Sequence, residues 1–543
     1  MNAKVQSGAR VFIVLALVGL VTTLAGSKLD IPATGIDDAN IFFVYARHFS
    51  AGHGFVFNPD GERVEGFTSL LWVLAASAAT TVGGSPERVL LVFNILLVTL
   101  TLVCCVRALS GAWAVALLIL LLSDPAYVTW HTVALMETAL WGALLTIAVL
   151  VACEQRDGNA PWLGAIGVLL VLTRPEALLW VPTLLVLVYL THATATRLSA
   201  GAKLVLPGIA GFALAAGALT IFRLVYFGSP LPNTYYAKVS PSITYSVREG
   251  ATYLVSYAAS SPIVFAAVLA VPISVLHAIM TRFRERKTLV LAGAAATGLG
   301  IPILTGGDHF DGFRFYQPIY PVLLLNLAHC LRTVAPQYLP ASVTSAVDPR
   351  LKLVATAAGL GMCIVFQAVA WISADRSALL GREFDIAVAG RQAGERANLV
   401  FAGMDEPPDI AAITVGGIQY AYRGAVIDLM GLNNTRMAHN GGDRVGVRSH
   451  AAFELRTFDD LNPKIVLPLV QYSDSMSAVG RPDPFAHRVL KGLLERQDFR
   501  GRYQLAEVRT KDGISFAGWY QRRFLSHLRR AGELDVVVAD RDY

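Results

Sequence analysis

Apolar residues gather in long, nearly uninterrupted runs along this chain, separated by short polar stretches. The runs fall at about 11–26, 67–82, 88–106, 111–128, 132–152, 161–173, 176–191, 203–222, 261–280, 288–304, 316–331 and 351–373. A helix needs about 20 mostly apolar residues to cross a bilayer, fewer where polar ends snorkel or are covered by neighbours. The pattern therefore predicts an all-α polytopic membrane domain over residues 1–374. Basic residues orient it. Lys4 and Arg10 precede the first run and TRFRERK (281–287) interrupts the series, and both belong in the cytoplasm by the positive-inside rule. Nine runs lie between them. An odd number cannot return the chain to the same side, so one must not cross. The weakest is 67–82, short and rich in Ser and Thr, with Trp72 near its start as an interfacial aromatic would be. Laid along the surface, it leaves eleven spans.

This parity puts Arg107, CEQRDGN (153–159), THATATR with Lys203, and LRTVAPQY with Arg350 and Lys352 inside. It puts outside a large first loop at 27–87, SDPAYVTWH (123–131), TRPEA (173–177), FGSPLPNTYYAKVS (227–240) and GGDHFDGFRF (306–315). Residues 375–543 also fall outside. There the hydropathy drops, and strand-like IAAITV, AVIDLM and KIVLPLV alternate with helix-like FAHRVLKGLLERQ, which predicts a soluble extracytoplasmic α/β domain.

Composition agrees. The 543 residues are 54% hydrophobic and 15% charged, with a mean hydropathy of +0.52, too apolar for a soluble protein of this length. The formal charge of +6 reflects basic loops and implies no nucleic-acid partner. Cys104, Cys105, Cys153, Cys330 and Cys363 lie in or beside apolar runs without metal-ligand spacing, and read as packing residues. Residues 27–32 lack a small-x-small cleavage site, so the first run is expected to remain as a span. No internal repeat is evident.

The candidate chemistry lies in the outer loops. In GIDDANIFFVYARHF (35–49), Ile41, Phe42, Tyr45 and Phe49 recur at helical spacing and predict an amphipathic interfacial helix with Asp37 and Asp38 at its start. Capping its N-terminus accounts for one aspartate only. A paired carboxylate at a membrane edge calls for a proton, a cation or a metal. Downstream, NPDG (58–61) predicts a turn in a hairpin-like loop. Its Glu62 reads as a solvated turn acid, while His53 and Glu65 are open between loop and site roles. Glu137 stands at the outer end of its span, where an ionisable group needs a partner. Arg174 and Glu176 flank Pro175, and a local ion pair is as good a reading as a site role. Arg223 is explained by snorkelling. Lys238 and Arg314 suit an anionic phosphate, Lys as a point charge and Arg as a bidentate donor. Asp308 with His309 offers oxygen and nitrogen ligands to a divalent metal, and no other cofactor is suggested. The absence of a phosphate-cradling Gly-rich motif speaks against direct use of a nucleotide sugar.

Taken in order, GIDDANIFFVYARHFSAGHGFVFNPDGERVEGFTSLLW, MET (136–138), TRPEA, PNTYYAK, GGDHFDGFRF and VIDLMGLNN (426–434) resemble bacterial GT-C glycosyltransferases. The nearest resemblance is to the group that includes the actinobacterial terminal arabinofuranosyltransferase of cell-wall arabinan. Asp60, between Pro59 and Gly61, departs from the pattern in the turn. The resemblance implies a cytoplasmic-membrane enzyme that takes a sugar, arabinofuranose by nearest likeness, from a polyprenyl-phosphate carrier outside the membrane. Asp37 and Asp38 would then be the acidic pair of the first outer loop, beneath a soluble C-terminal domain. Glu137, Arg174, Lys238, Asp308, His309, Arg314 and His53 would contribute to substrate binding. The acceptor class, whether glycan, glycolipid or pilin-like protein, stays open, as does the choice of base between the two aspartates. Two rivals are a lipid-linked-sugar transporter, which would carry mid-membrane ionisable residues and repeated halves, and a non-catalytic glycan-binding subunit.

Overall fold

The computed structural model describes residues 3–28, 30, 32–83, 85–154, 160–193, 198–338, 349–373, 380–442 and 444–539. The expected boundary at 374/375 and parts of the loops at 153–159 and 191–197 lie outside them. The chain forms two compact units. One comprises Met1–Ile31, Leu91–Leu219 and Ile243–Leu380, and the other Pro32–Leu90, Thr220–Ser242 and Gly381–Tyr543.

Among the described residues, six helices are long and apolar enough to cross a membrane: Gly8–Lys28, Pro86–Ala108, Gly201–Phe227, Pro262–Met280, Arg286–Thr305 and Gln317–Gln337. The run at 111–128 is split into Ala112–Leu122 and Pro125–His131, bent by 74°. Asp124 and Pro125 end one helix and start the next, the aspartate capping through Tyr127 N. The runs at 132–152, 161–173 and 176–191 give shorter helices, Thr138–Glu154, Pro161–Thr173 and Ala177–Thr191. The first of these starts late because Leu135 is left-handed (φ 57°), and helix resumes only after Glu137. Exposed apolar residues such as Phe12, Leu214 and Val225 leave a surface suited to lipid rather than water.

In the first unit, glycines set how closely helices pass. A Cβ on Gly250 would lie 2.4 Å from Ile303 O, so the Ile243–Ala259 helix crosses the end of Arg286–Thr305 backbone to backbone. Small residues at a crossing give this approach in membrane helices. It fixes the start of GGDHFDGFRF, where Gly306 and Gly307 adopt φ of 90° and 72°.

In the second unit, the 67–82 run forms Leu70–Thr81, a helix of 12 residues. At about 1.5 Å per residue it spans roughly 18 Å, too short for a hydrocarbon core of about 30 Å. It packs on the Asp37–Ser50 helix. That helix is not the one-sided interfacial element expected. Asp37, Asn40, Phe43 and His48 are buried along with Ile41, Phe42 and Tyr45, because Gly381–Val400 and Gly416–Ala421 cover its other faces.

The C-terminal part carries a six-stranded sheet in the order β2-β1-β3-β5-β4-β6. Here β1 is Ile410–Ala412, β2 Val426–Asp428, β3 Ile465–Leu467, β4 Tyr503–Arg509, β5 Ser515–Gln521 and β6 Asp535–Val538. β1 pairs in parallel with β2 and β3, and the rest of the ladder is antiparallel. The strand-like segments read from the sequence become β1–β3. FAHRVLKGLLERQ does not make one helix. It breaks at Lys491 and Gly492, both with positive φ, into Pro484–Val489, a 3-10 turn and Gln497–Arg502. Phe458, Phe499, Tyr503 and Trp519 fill the core between.

A side chain at position 250 should force the two helices apart. We expect Gly250→Val to destabilise by about 1–3 kcal/mol, read as a lower thermal midpoint in detergent. Gly300→Ala, in the same helical layer with nothing within 4 Å of its Cβ, should be neutral. Equal midpoints for both variants would refute the crossing.

Candidate active site

The candidate residues fall into two groups, one in each unit. In the second unit Asp37 and Asp38 open the Asp37–Ser50 helix, yet neither caps it, because the N-cap is Ile36 and no side chain bonds there. Asp37 instead caps a different helix. Its Oδ2 accepts from Gly416 N (3.0 Å) and its Oδ1 from Gly417 N (2.7 Å). Two glycines are required at that point. A Cβ on Gly416 would sit 2.0 Å from Asp37 O, and one on Gly417 2.4 Å from Ala387 O. Burial pushes the Asp37 carboxyl from an ordinary 3.8 up to about 6, against the pull of its two amide donors, with Asp38 and Asp428 raising it further. Arg391 braces the same helix, donating to Asn40 Oδ1 (2.7 Å) and Glu87 Oε1 (2.8 Å) with its guanidinium over Tyr420.

Asp38, one residue on, is less buried. Its side chain is 22% exposed and lies 3.9 Å from Lys238 Nζ, itself 23% exposed. Lys238 ends the short Asn233–Lys238 helix, and that helix is anchored at its start. Asn233 Nδ2 donates to Gly431 O (2.8 Å) and Leu432 O (2.9 Å), its N–H donates to Glu65 O (3.0 Å), and Arg444 Nε donates to Tyr236 O (2.9 Å).

These anchors belong to a buried polar hub. VIDLMGLNN forms β2 and a buried turn, inside which Asp428 accepts from Met430 N, Asn433 N and Asn433 Nδ2 at 2.8–2.9 Å. Asn433 Oδ1 meets the Tyr45 hydroxyl (3.1 Å), which accepts from Gly66 N (3.0 Å). A Cβ on Gly66 would strike Asn433 Oδ1 at 1.8 Å, which explains the glycine of the VEG stretch. The signal available in sequence was an aspartate followed by Gly431, whose φ is 77°, and by two asparagines that can satisfy it.

Several residues occupy places other than those expected. Arg223 does not snorkel. It is buried and bonded in a fork to Glu65 at 2.8–3.1 Å, a pair in which loss of either partner would strand a buried charge. His53 is exposed at the turn after the Asp37–Ser50 helix, edge-on to His48. The NPDG turn forms, with Gly61 N bonded to Asn58 O (3.0 Å), but the flanking runs are not paired as a hairpin. Asn58 instead exchanges two bonds with Val426 of β2.

The other group lies in the first unit. Arg174 is held by two carboxylates. It forms the local pair with Glu176 (Nη2–Oε1 2.7 Å) and reaches Glu137 as well. Glu137 Oε2 is buried with no hydrogen-bond partner among the described residues. Arg314 Nε donates to Asp308 Oδ2 (2.7 Å), and its guanidinium is surrounded by Phe310, Phe315 and Trp130. His309 Nδ1 is 3.3 Å from Asp308 Oδ1. A cleft enclosing about 450 Å³, mouth included, is lined by Arg174, Glu176 and Arg314 together with Trp141, Trp180 and Phe315. Three acids face two guanidinium groups in this cluster, so it has no surplus of positive charge for a phosphate. Among the described residues no group of three His, Cys, Asp or Glu side chains is arranged to hold a metal, and Asp308 with His309 supplies two ligands only.

The raised Asp37 pKa gives a signed prediction. The folded chain holds this proton more tightly than the unfolded chain, so the associated stability is full below about pH 4 and is lost as pH rises through about 6. Comparing unfolding midpoints of the wild type and Asp37→Asn across that range should show the loss in the wild type alone. The same slope in both would assign it elsewhere.

No protein-family model matches the chain, and neither does any curated protein sequence. Solved structures do match. ArnT from Cupriavidus metallidurans, bound to undecaprenyl phosphate, aligns over 84% of this chain and 93% of its own with a TM-score of 0.51 and 13% identity. The Archaeoglobus fulgidus oligosaccharyltransferase in its apo form aligns over 96% of this chain and 75% of its own with a TM-score of 0.56 and 11% identity. The chain therefore has the GT-C fold, a helical membrane domain joined to a C-terminal α/β domain.

Proposed function

We propose that the protein is a membrane glycosyltransferase that moves a sugar from a polyprenyl-phosphate donor to a hydroxyl of an extracytoplasmic glycan, with Asp38 as general base. The observation that carries this is the unequal environment of the adjacent aspartates. Asp37 has both oxygens committed to backbone amides. Asp38 keeps 22% of its side chain exposed and lies 3.9 Å from Lys238 Nζ. The likeness to a structure bound to undecaprenyl phosphate supports a donor of that chemical kind.

In the reaction, Asp38 accepts the proton of the acceptor hydroxyl as its oxygen bonds to the anomeric carbon from the face opposite the leaving group. The bond from that carbon to the phosphate oxygen breaks, and its electron pair leaves with polyprenyl phosphate, so the anomeric configuration inverts. The phosphodiester becomes a monoester and gains charge, which a fixed cation stabilises more in the transition state than in the ground state. Lys238 is our candidate for that cation, because its carboxylate partner Asp38 is neutralised as it takes up the proton in this step. Arg174 and Arg314, in the first unit, are paired to carboxylates, and the step is written without them; with Glu137, Asp308 and His309 they form a cluster of their own that suits sugar hydroxyls better than phosphate.

Arabinofuranose remains our proposed sugar on the resemblance of the outer-loop motifs, and the acceptor is a cell-envelope glycan. A transporter is disfavoured by polar residues that cluster at helix ends.

Membranes carrying Asp38→Asn, assayed with a panel of polyprenyl-phosphate sugars, should lose about 10²- to 10⁴-fold in rate while retaining wild-type folding. Asp37→Asn should lose less and unfold more easily. Full activity of Asp38→Asn would end the assignment, and turnover of mannosyl but not arabinofuranosyl donor would correct the sugar.

A further inference from the structure

A second polar pocket lies in the first unit, at the far ends of the helices that carry the Arg174 and Arg314 cluster. Arg286–Thr305 runs 20 residues, about 30 Å, from Arg286 and Lys287 to the loop holding Asp308. At its Arg286 end a pocket encloses about 570 Å³, mouth included. Its walls are apolar, with Leu109, Leu150, Leu291 and Leu325 contributed by four different segments, and its rim carries Lys287 and Arg332. The mechanism uses none of these residues.

The pocket's lining cations, Lys287 and Arg332, call for an anion. Lys287, which lines the pocket, occupies the first turn of a helix with no acid in that turn and no side-chain cap, so it stands where the helix dipole is already positive. Nearby Glu285 is engaged elsewhere: its Oε2 is 2.9 Å from His277 Nε2 and accepts from Thr288 Oγ1 at 3.0 Å. Thr288 Oγ1 in turn lies 2.8 Å from His329 Nε2 and so orients that ring at the pocket wall. Arg332 and Thr333 lie on a π-helical turn, Cys330–Val334, a distortion that recurs at functional sites. Snorkelling accounts for cations at helix ends, but not for an apolar void between them.

We propose that this pocket binds an anionic two-chain phospholipid, its phosphodiester against Lys287 and Arg332 and an acyl chain along the leucine walls. Basic pockets between transmembrane helices recognise lipid headgroups in this way. The leucines select a lipid over free phosphate, and the cations select an anionic headgroup over a zwitterionic one.

The purified full chain in detergent would be titrated with phosphatidylglycerol, phosphatidylcholine, undecaprenyl phosphate and inorganic phosphate, and bound species read by native mass spectrometry. Phosphatidylglycerol should be retained over phosphatidylcholine. Lys287→Gln and Arg332→Gln should each weaken it about fivefold, and Lys287→Arg with Arg332→Lys should restore it. Equal retention of the two phospholipids by the wild type would overturn the proposal even if the variants failed to fold. So would unchanged binding in the glutamine variants, displacement by inorganic phosphate alone, or preference for undecaprenyl phosphate at this pocket.

Discussion

A buried carboxylate facing two backbone amides holds the site of the second unit together. Asp37 closes the Gly416–Gly417 helix start with both oxygens, and the glycines admit it because any side chain at 416 would strike the Asp37 carbonyl. That contact fixes the first turn of the Asp37–Ser50 helix, and with it the direction in which Asp38 leaves the backbone. The hub around Asp428 and Asn433 does the same for the other partner, gripping Asn233 and Tyr45 so that Lys238 is delivered to Asp38. The α/β part of the chain thus acts as the frame on which the Asp38–Lys238 ion pair is built.

Two neighbouring aspartates of identical intrinsic chemistry are separated by their surroundings alone. One is desolvated and bound by amides, and its pKa rises to about 6. The other keeps solvent and a cation. This difference in burial is the ground on which we propose a structural part for Asp37 and the chemistry for Asp38. In the first unit the guanidinium groups of Arg174 and Arg314 are already matched by acids, an arrangement of donors and acceptors around aromatic walls that suits a neutral polyhydroxyl ligand.

The hydrophobic pattern was legible wherever burial in lipid or in a sheet demands a continuous apolar run, so the main helices and β1–β3 could be read directly. Breaks were harder. The bend at Asp124, the late start after Glu137 and the interruption at Lys491 and Gly492 depend on single backbone conformations. The aspartate pair stood out as a local motif, but its partners did not. Gly416 and Gly417 lie about 380 residues away, and pattern alone carries no record of such distant pairings. Arg223 shows the same limit. At a helix end it looked like a snorkelling cation, and only the fold reveals Glu65, 158 residues earlier, as its partner. The amphipathic spacing of 38–50 correctly gave a helix and missed that its polar face would also be covered.

Chemical rescue tests the division of labour most directly. Asp38→Ala and Asp37→Ala would be assayed for sugar transfer with and without millimolar formate or azide, which can occupy a missing carboxylate's place as a base. The account predicts that the small anion restores measurable turnover to Asp38→Ala and none to Asp37→Ala, whose defect is the loss of a tethered bracket. Rescue of Asp37→Ala alone would contradict it.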